Sequence, residues 1–237
     1  MISDLYKYIF VHIPKCGGTS IEQNLLQRET ELPSIIFEKP FWVDELNEIM
    51  QNKFLLGHIE GQSDVRQHYL CSKFPEEKRK SYFKFTFVRN PWAKLVSEWL
   101  YFKKQENELF ENVEFKDCLG SGWTCVDEKL QTYKYIIKAA NISDSNNRYP
   151  VIFPWTGHSK YQWEYTEGCD YIGKFENLQQ DFDIICDKIR IPRQQLPHAN
   201  NSYRKKHYTE YYDDETREFI ARKYAKDIKL FGYKFGE

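Results

Sequence analysis

The chain has 237 residues, 41% of them hydrophobic and 17% aromatic, enough for the core of one α/β domain or at most two small ones. Its formal net charge of −1 excludes the overall positive field of a general nucleic-acid binder, so an anionic ligand has to be met by local groups. No apolar run approaches the ~20 residues of a membrane helix and no leader precedes the first motif, so no membrane span and a cytoplasmic location are expected.

In chain order, residues 7–13 read as a strand that ends at Pro14. Lys15, Cys16, the Gly17-Gly18 pair and the hydroxyls of Thr19 and Ser20 follow, and a helix is predicted over 19–28 from Ile21 and Leu25. A strand, a glycine turn and a helix N-terminus make an anion cradle: the backbone can approach the ligand and the helix dipole favours negative charge. The triphosphate loop G-x-x-x-x-G-K-[ST] does not match, because this lysine precedes the glycines. The dinucleotide fingerprint G-x-G-x-x-G is absent, since the glycines are adjacent. The plainer alternative is a structural turn between strand and helix.

A second strand is expected at 53–58, ending at His58, and a third at 83–88, ending at Arg89. Pro91 suits the first turn of a helix predicted over 92–104, in which Trp92, Leu95, Val96 and Trp99 share one face and Ser97 sits on the second turn. Arg89 offers a rigid fork of donors and Ser97 a hydroxyl; as an isolated pair they read as a capping arginine and a solvated serine. Further helices are expected at 127–140, 177–190 and 214–226, and a strand at 170–174. The segments 105–126 and 141–169 read as irregular. This order implies an α/β, P-loop-like single domain over 1–237 with a central parallel β-sheet flanked by helices. Ligands of such sheets bind beyond the carboxyl ends of the strands, where Lys15, His58 and Arg89 all fall.

Together, Pro14 to Ser20 and Arg89-Asn90-Pro91 with Ser97 resemble the 3′-phosphoadenylyl-sulfate (PAPS)-dependent sulfotransferases, in the branch of family-2 type that contains carbohydrate O-sulfotransferases. Leu56-Gly57-His58, the stretch Tyr171 to Leu178 and a closing segment 196–237 are also similar to that branch. The resemblance implies that Lys15, Cys16, Gly17, Gly18, Thr19 and Ser20 hold the 5′-phosphosulfate and that Arg89 and Ser97 hold the 3′-phosphate. It also implies that His58 is the general base for an acceptor hydroxyl, with Lys15 meeting the charge on the leaving bisphosphate. Cys16 departs from the threonine or other small residue more usual in that family, with little consequence where the loop binds through its backbone. Ser202, Arg204 and Lys205, in the closing segment, are expected over the nucleotide phosphates, against the plain alternative of a solvated loop. Glu60 and His158 are expected toward the acceptor, and 105–126 and 141–169 around its pocket.

The donor implied is PAPS and the product adenosine 3′,5′-bisphosphate, with no metal expected because no carboxylate cluster is evident. The acceptor implied is a carbohydrate hydroxyl, with a small molecule, a lipid or a peptide tyrosine as alternatives; nucleic acid is not an expected partner. A P-loop-like kinase and a non-catalytic nucleotide-binding module are the rival classes. His12, within the first strand, reads as a satisfied core histidine. The six cysteines show no C-x-x-C spacing, and reduced thiols are expected, with Cys118 and Cys125 able to bridge in an oxidising compartment.

Overall fold

The computed structural model describes residues 1–30, 69–105, 115, 161–197 and 206–237. The chain divides into two compact units, Met1–Arg89 with Gln162–Asn201 and Asn90–Tyr161 with Ser202–Glu237.

The first unit is built on a four-stranded sheet in the order β1-β2-β3-β4: β1 Ile2–Ser3, β2 Tyr8–Val11, β3 Phe83–Val88 and β4 Tyr171–Lys174. β2, β3 and β4 run parallel, with Phe10 opposite Phe85 and Thr86 opposite Ile172. β1 pairs antiparallel with β2, so the expected all-parallel sheet is mixed. The correction has a simple cause: an antiparallel neighbour needs only the short connection Asp4–Lys7, whereas a parallel one needs a crossover.

All four residues of β2 are buried, as are the last four of β3, which matches the continuous apolar reading of strands covered on both faces. Phe10 stacks on Phe85 with ring centroids 5.1 Å apart, and Thr86 Oγ1 donates to the Val11 carbonyl at 2.6 Å. Helix α1 (Gly18–Thr30) buries Ile21, Leu25 and Leu26. A 3-10 turn at Cys71–Lys73 and α2 (Glu76–Ser81) lead into β3. The segment 141–169, expected to be irregular, carries a short helix at its end, α4 (Gln162–Thr166), with Gln162, Tyr165 and Thr166 buried. Helix α5 (Leu178–Ile189) follows β4 and buries Phe182, Ile185, Cys186 and Ile189, the i, i+3, i+4, i+7 face of an amphipathic helix.

The second unit contains α3 (Pro91–Gln105), α6 (Asp214–Lys223) and α7 (Ala225–Phe231). Asn90 caps α3, its Oδ1 accepting from the Trp92 N–H at 3.1 Å. Trp92, Leu95, Val96 and Trp99 form a core with Phe115, Tyr208, Ile220 and Tyr224. Edge-on ring pairs fill it, with Phe115 and Tyr212 4.9 Å apart and Trp92 and Phe235 5.6 Å apart. Burial among these rings drives the Tyr212 phenol well above its usual pKa. The helix expected over 214–226 is interrupted at Tyr224, which leaves the helical region at φ −98° and ψ 24° and ends α6. The strand expected at 53–58 and the helix expected at 127–140 lie outside the described residues. Among the described residues, no helix is long and apolar enough to cross a membrane.

Candidate functional site

The β2–α1 connection lies at the carboxyl ends of β2 and β3, where the chain turns from a strand into a 13-residue helix. Two residues of the loop have left-handed backbone, Lys15 at φ 64° and Gly17 at φ 85°. The Gly17 carbonyl accepts from the Ser20 N–H at 3.1 Å and from the Ile21 N–H at 3.3 Å, which starts α1.

Both glycines are required by close approach, and Gly17 by conformation as well. A Cβ on Gly17 would lie 2.9 Å from Leu178 Cδ2 and 3.2 Å from the Phe175 ring. One on Gly18 would lie 2.2 to 2.5 Å from three atoms of the His12 ring. The stretch Tyr171 to Leu178, which the sequence links to the loop only by resemblance, therefore closes one side of it. His12 closes another, buried, with Nδ1 3.0 Å from Glu22 Oε1 of α1.

Arg89 leaves β3 beside this loop and is only 3% exposed. Its Nη1 donates to the Lys15 carbonyl at 2.9 Å, and its guanidinium stacks on Phe175 at 4.0 Å from the ring centroid. Gln162, the first residue of α4, fastens the same point from the backbone side. Its Oε1 accepts from the Arg89 N–H at 2.8 Å and its Nε2 donates to the Arg89 carbonyl at 2.8 Å. The Cys16 thiol donates to Gln162 Oε1 at 3.4 Å. Cys16 is thus buried and turned into the protein, so its contribution to the loop's outer surface is backbone alone.

The first unit therefore brings together Lys15, Cys16, Gly17, Gly18, Thr19, Ser20 and Arg89. Gly17 and Gly18 put no side chain over the loop backbone, the N-terminus of α1 supplies donors and dipole, and Lys15, Thr19 and Ser20 are partly exposed at the lip. That donor set fits an anion. Ser97 belongs to the second unit, largely buried on α3 beside the buried Lys94–Glu98 ion pair at 3.3 Å. His58, Glu60, His158, Ser202, Arg204 and Lys205 lie outside the described residues. Gln162, His12 with Glu22, and Phe175 are the positions that reading the sequence alone misses as parts of the loop's support.

A model of the Sulfotransferase family matches residues 1–234. The chain is 25% identical over 255 residues to carbohydrate sulfotransferase 10 of Xenopus laevis, an alignment covering 98% of this chain and 66% of that protein. It is 25% identical over 252 residues to carbohydrate sulfotransferase 10 of Mus musculus, with the same two shares. An uncharacterized protein of Archaeoglobus fulgidus is 30% identical over 113 residues, 48% of this chain and 72% of that one. The chain thus spans just under two thirds of the length of the two carbohydrate sulfotransferases. With the match running through both units, from the glycine loop and Arg89 to the closing aromatic segment, the chain belongs to the sulfotransferase family.

Proposed function

We propose that this chain is a single sulfotransferase domain that moves a sulfuryl group from PAPS to an acceptor hydroxyl, releasing adenosine 3′,5′-bisphosphate. The observation that carries the reading is the Gly17-Gly18 loop. It is packed too tightly for any side chain, opens at a helix N-terminus, and has Lys15 at its lip. A carbohydrate acceptor is the reading favoured by the two distant carbohydrate sulfotransferases. A cytoplasmic setting is part of this reading, on the sequence grounds given above.

In this reading the Gly17, Gly18 and Thr19 N–H groups, with the Thr19 and Ser20 hydroxyls, hold the 5′-phosphosulfate. Cys16 takes part through its backbone. Arg89 recognises the 3′-phosphate, the group that separates this donor from ATP; on sequence grounds Ser97, Ser202, Arg204 and Lys205 are assigned to the nucleotide as well. His58 takes the acceptor proton as that oxygen forms its bond to sulfur in line with the departing bisphosphate oxygen, a contribution of ~10²–10⁴-fold. Lys15 meets the negative charge growing on the bridging oxygen, worth ~10²–10³ in rate. Glu60 and His158 contact the acceptor.

Thermal-shift titration tests the ligand, with adenosine 3′,5′-bisphosphate expected to stabilise the protein and ATP with magnesium expected not to. Stabilisation by ATP with magnesium alone would move the chain to the kinase reading. A panel of hydroxyl acceptors, screened by mass for a gained sulfate, then tests turnover. Lys15→Ala and His58→Ala are expected to fold and to lose transfer; normal turnover in either removes that residue from the chemistry. Retained binding without turnover on any acceptor class would leave a nucleotide-binding module instead of an enzyme.

A further inference from the structure

At the ends of β3 and β4 opposite the loop, two cysteines from distant parts of the first unit meet. Cys71 opens the 3-10 turn before α2, and Cys169 follows Gly168 in the turn between α4 and β4. Each thiol is the strongest electrostatic neighbour of the other, and the Cys169 thiol donates to the Tyr165 carbonyl at 3.5 Å. A Cβ on Gly168 would lie 3.6 Å from Cys71 Sγ, so the two turns are in van der Waals contact. Both cysteines are reduced, and Cys71 lines a cavity of about 360 Å³ whose wall also carries Arg79, Lys80 and Lys84 with Glu76 and Glu167.

We propose that Cys71 and Cys169 are a redox-active dithiol that closes to an intramolecular disulfide by exchange with a low-molecular-weight disulfide entering through this cavity. The electrostatics name the attacking sulfur. The neighbouring Cys169 thiol, helped by the charges of Lys84 and Arg79, holds the Cys71 thiol below the ordinary thiol range against the cost of burial and the Asp170 charge. Cys169 is pushed the other way, first by Cys71 and then by burial, with Asp170 adding to the shift and Lys84 opposing it. The Cys71 thiolate attacks one sulfur of the small disulfide, forming a mixed disulfide and releasing one small thiolate. Cys169 Sγ then attacks Cys71 Sγ, giving up its proton to solvent and expelling the second small thiolate. The protein is oxidised by two electrons and the small disulfide is reduced to two thiols. Cys16 and Cys186 are placed differently. Cys16 is turned into the protein toward Gln162, and burial pushes the Cys186 thiol up to about 11.

The test is equilibration of the full chain in buffers of reduced and oxidised glutathione, followed by acid quench, alkylation and non-reducing peptide mapping by mass. Oxidation is expected to remove two alkylatable thiols and to yield the Cys71–Cys169 cross-linked peptide, with Cys16 and Cys186 still alkylated. Cys169→Ser is expected to trap glutathione on Cys71, and Cys71→Ser to leave Cys169 unmodified. Both thiols remaining alkylatable in excess oxidised glutathione would overturn the proposal, as would either one pairing with Cys118 or Cys125. Equal glutathionylation of the two serine variants would overturn Cys71 as the attacking sulfur.

Discussion

At the carboxyl ends of β2 and β3, polar groups are buried and each has a defined backbone partner: Arg89 on the Lys15 carbonyl, Gln162 on both backbone groups of Arg89. At the other end of the same strands, polar groups meet in water. Lys78 Nζ lies 2.8 Å from Asp4 Oδ1, and the Tyr82 hydroxyl donates to that oxygen at 2.6 Å, with the Asp4 side chain 48% exposed. The distances are as short in the solvated network as in the buried one. The difference lies in what replaces a lost partner: water at Asp4, nothing at Arg89. Geometry that water cannot restore is therefore concentrated at one end of the sheet.

Substitutions at both ends measure that contrast. The largest effect is expected from Gly18→Ala, whose methyl would overlap the His12 ring; overpacking of this kind costs about 1–3 kcal/mol, read by urea denaturation. Adding His12→Ala should recover part of the loss, a coupling above ~0.5 kcal/mol; strictly additive losses would mean that His12 is not what Gly18 makes room for. Gln162→Leu should come next, stranding the Arg89 N–H and carbonyl at about 1–3 kcal/mol. Hydrogen exchange at the Arg89 amide should speed up with it, and an unchanged rate would mean that another group protects that amide. Arg89→Lys keeps the charge but loses the fork and the Phe175 stack, for about 1–2 kcal/mol in the same denaturation series.

The smallest effect belongs to the solvated end. Asp4→Asn should cost about 0.2–1 kcal/mol and less in high salt. Hydrogen bonds from Lys78 and then Tyr82 hold the Asp4 carboxyl below its ordinary pKa. Its contribution is therefore present at neutral pH and is lost as pH falls below about 4, through the lowered folded value. The wild-type protein should lose this increment on acidification and Asp4→Asn should not. A loss at Asp4 as large as that at Gln162 would erase the contrast between the two ends.

Local chemistry made much of this molecule readable beforehand. β3 falls where its aromatic run predicts it, because a strand buried on both faces must be apolar throughout. α5 follows its four-residue apolar face to within a residue at either end. The loop announces itself through adjacent glycines between a strand and a helix. Gln162 announces nothing: its partner Arg89 lies 73 residues away, and a buried glutamine looks like any polar residue until the partner is known. His12 and Glu22 meet only because the loop folds the strand end against the first turns of α1. The break at Tyr224 carries neither glycine nor proline, so the helical pattern runs through it on paper; a buried ring in an aromatic core decides it in the fold.

Lys15 holds a left-handed backbone that glycine would adopt without cost, at about 1–2 kcal/mol for a residue with a side chain. The loop is locally frustrated there, its residue preference and its backbone disagreeing. Such frustration persists where the surroundings leave no other choice, and the Arg89 guanidinium grips the carbonyl of that same residue. The lysine at the lip and the arginine behind it are thus one mechanical element: slackening Arg89 lets Lys15 relax toward ordinary backbone and swings its ammonium away from the loop, with no change in the charge of either residue.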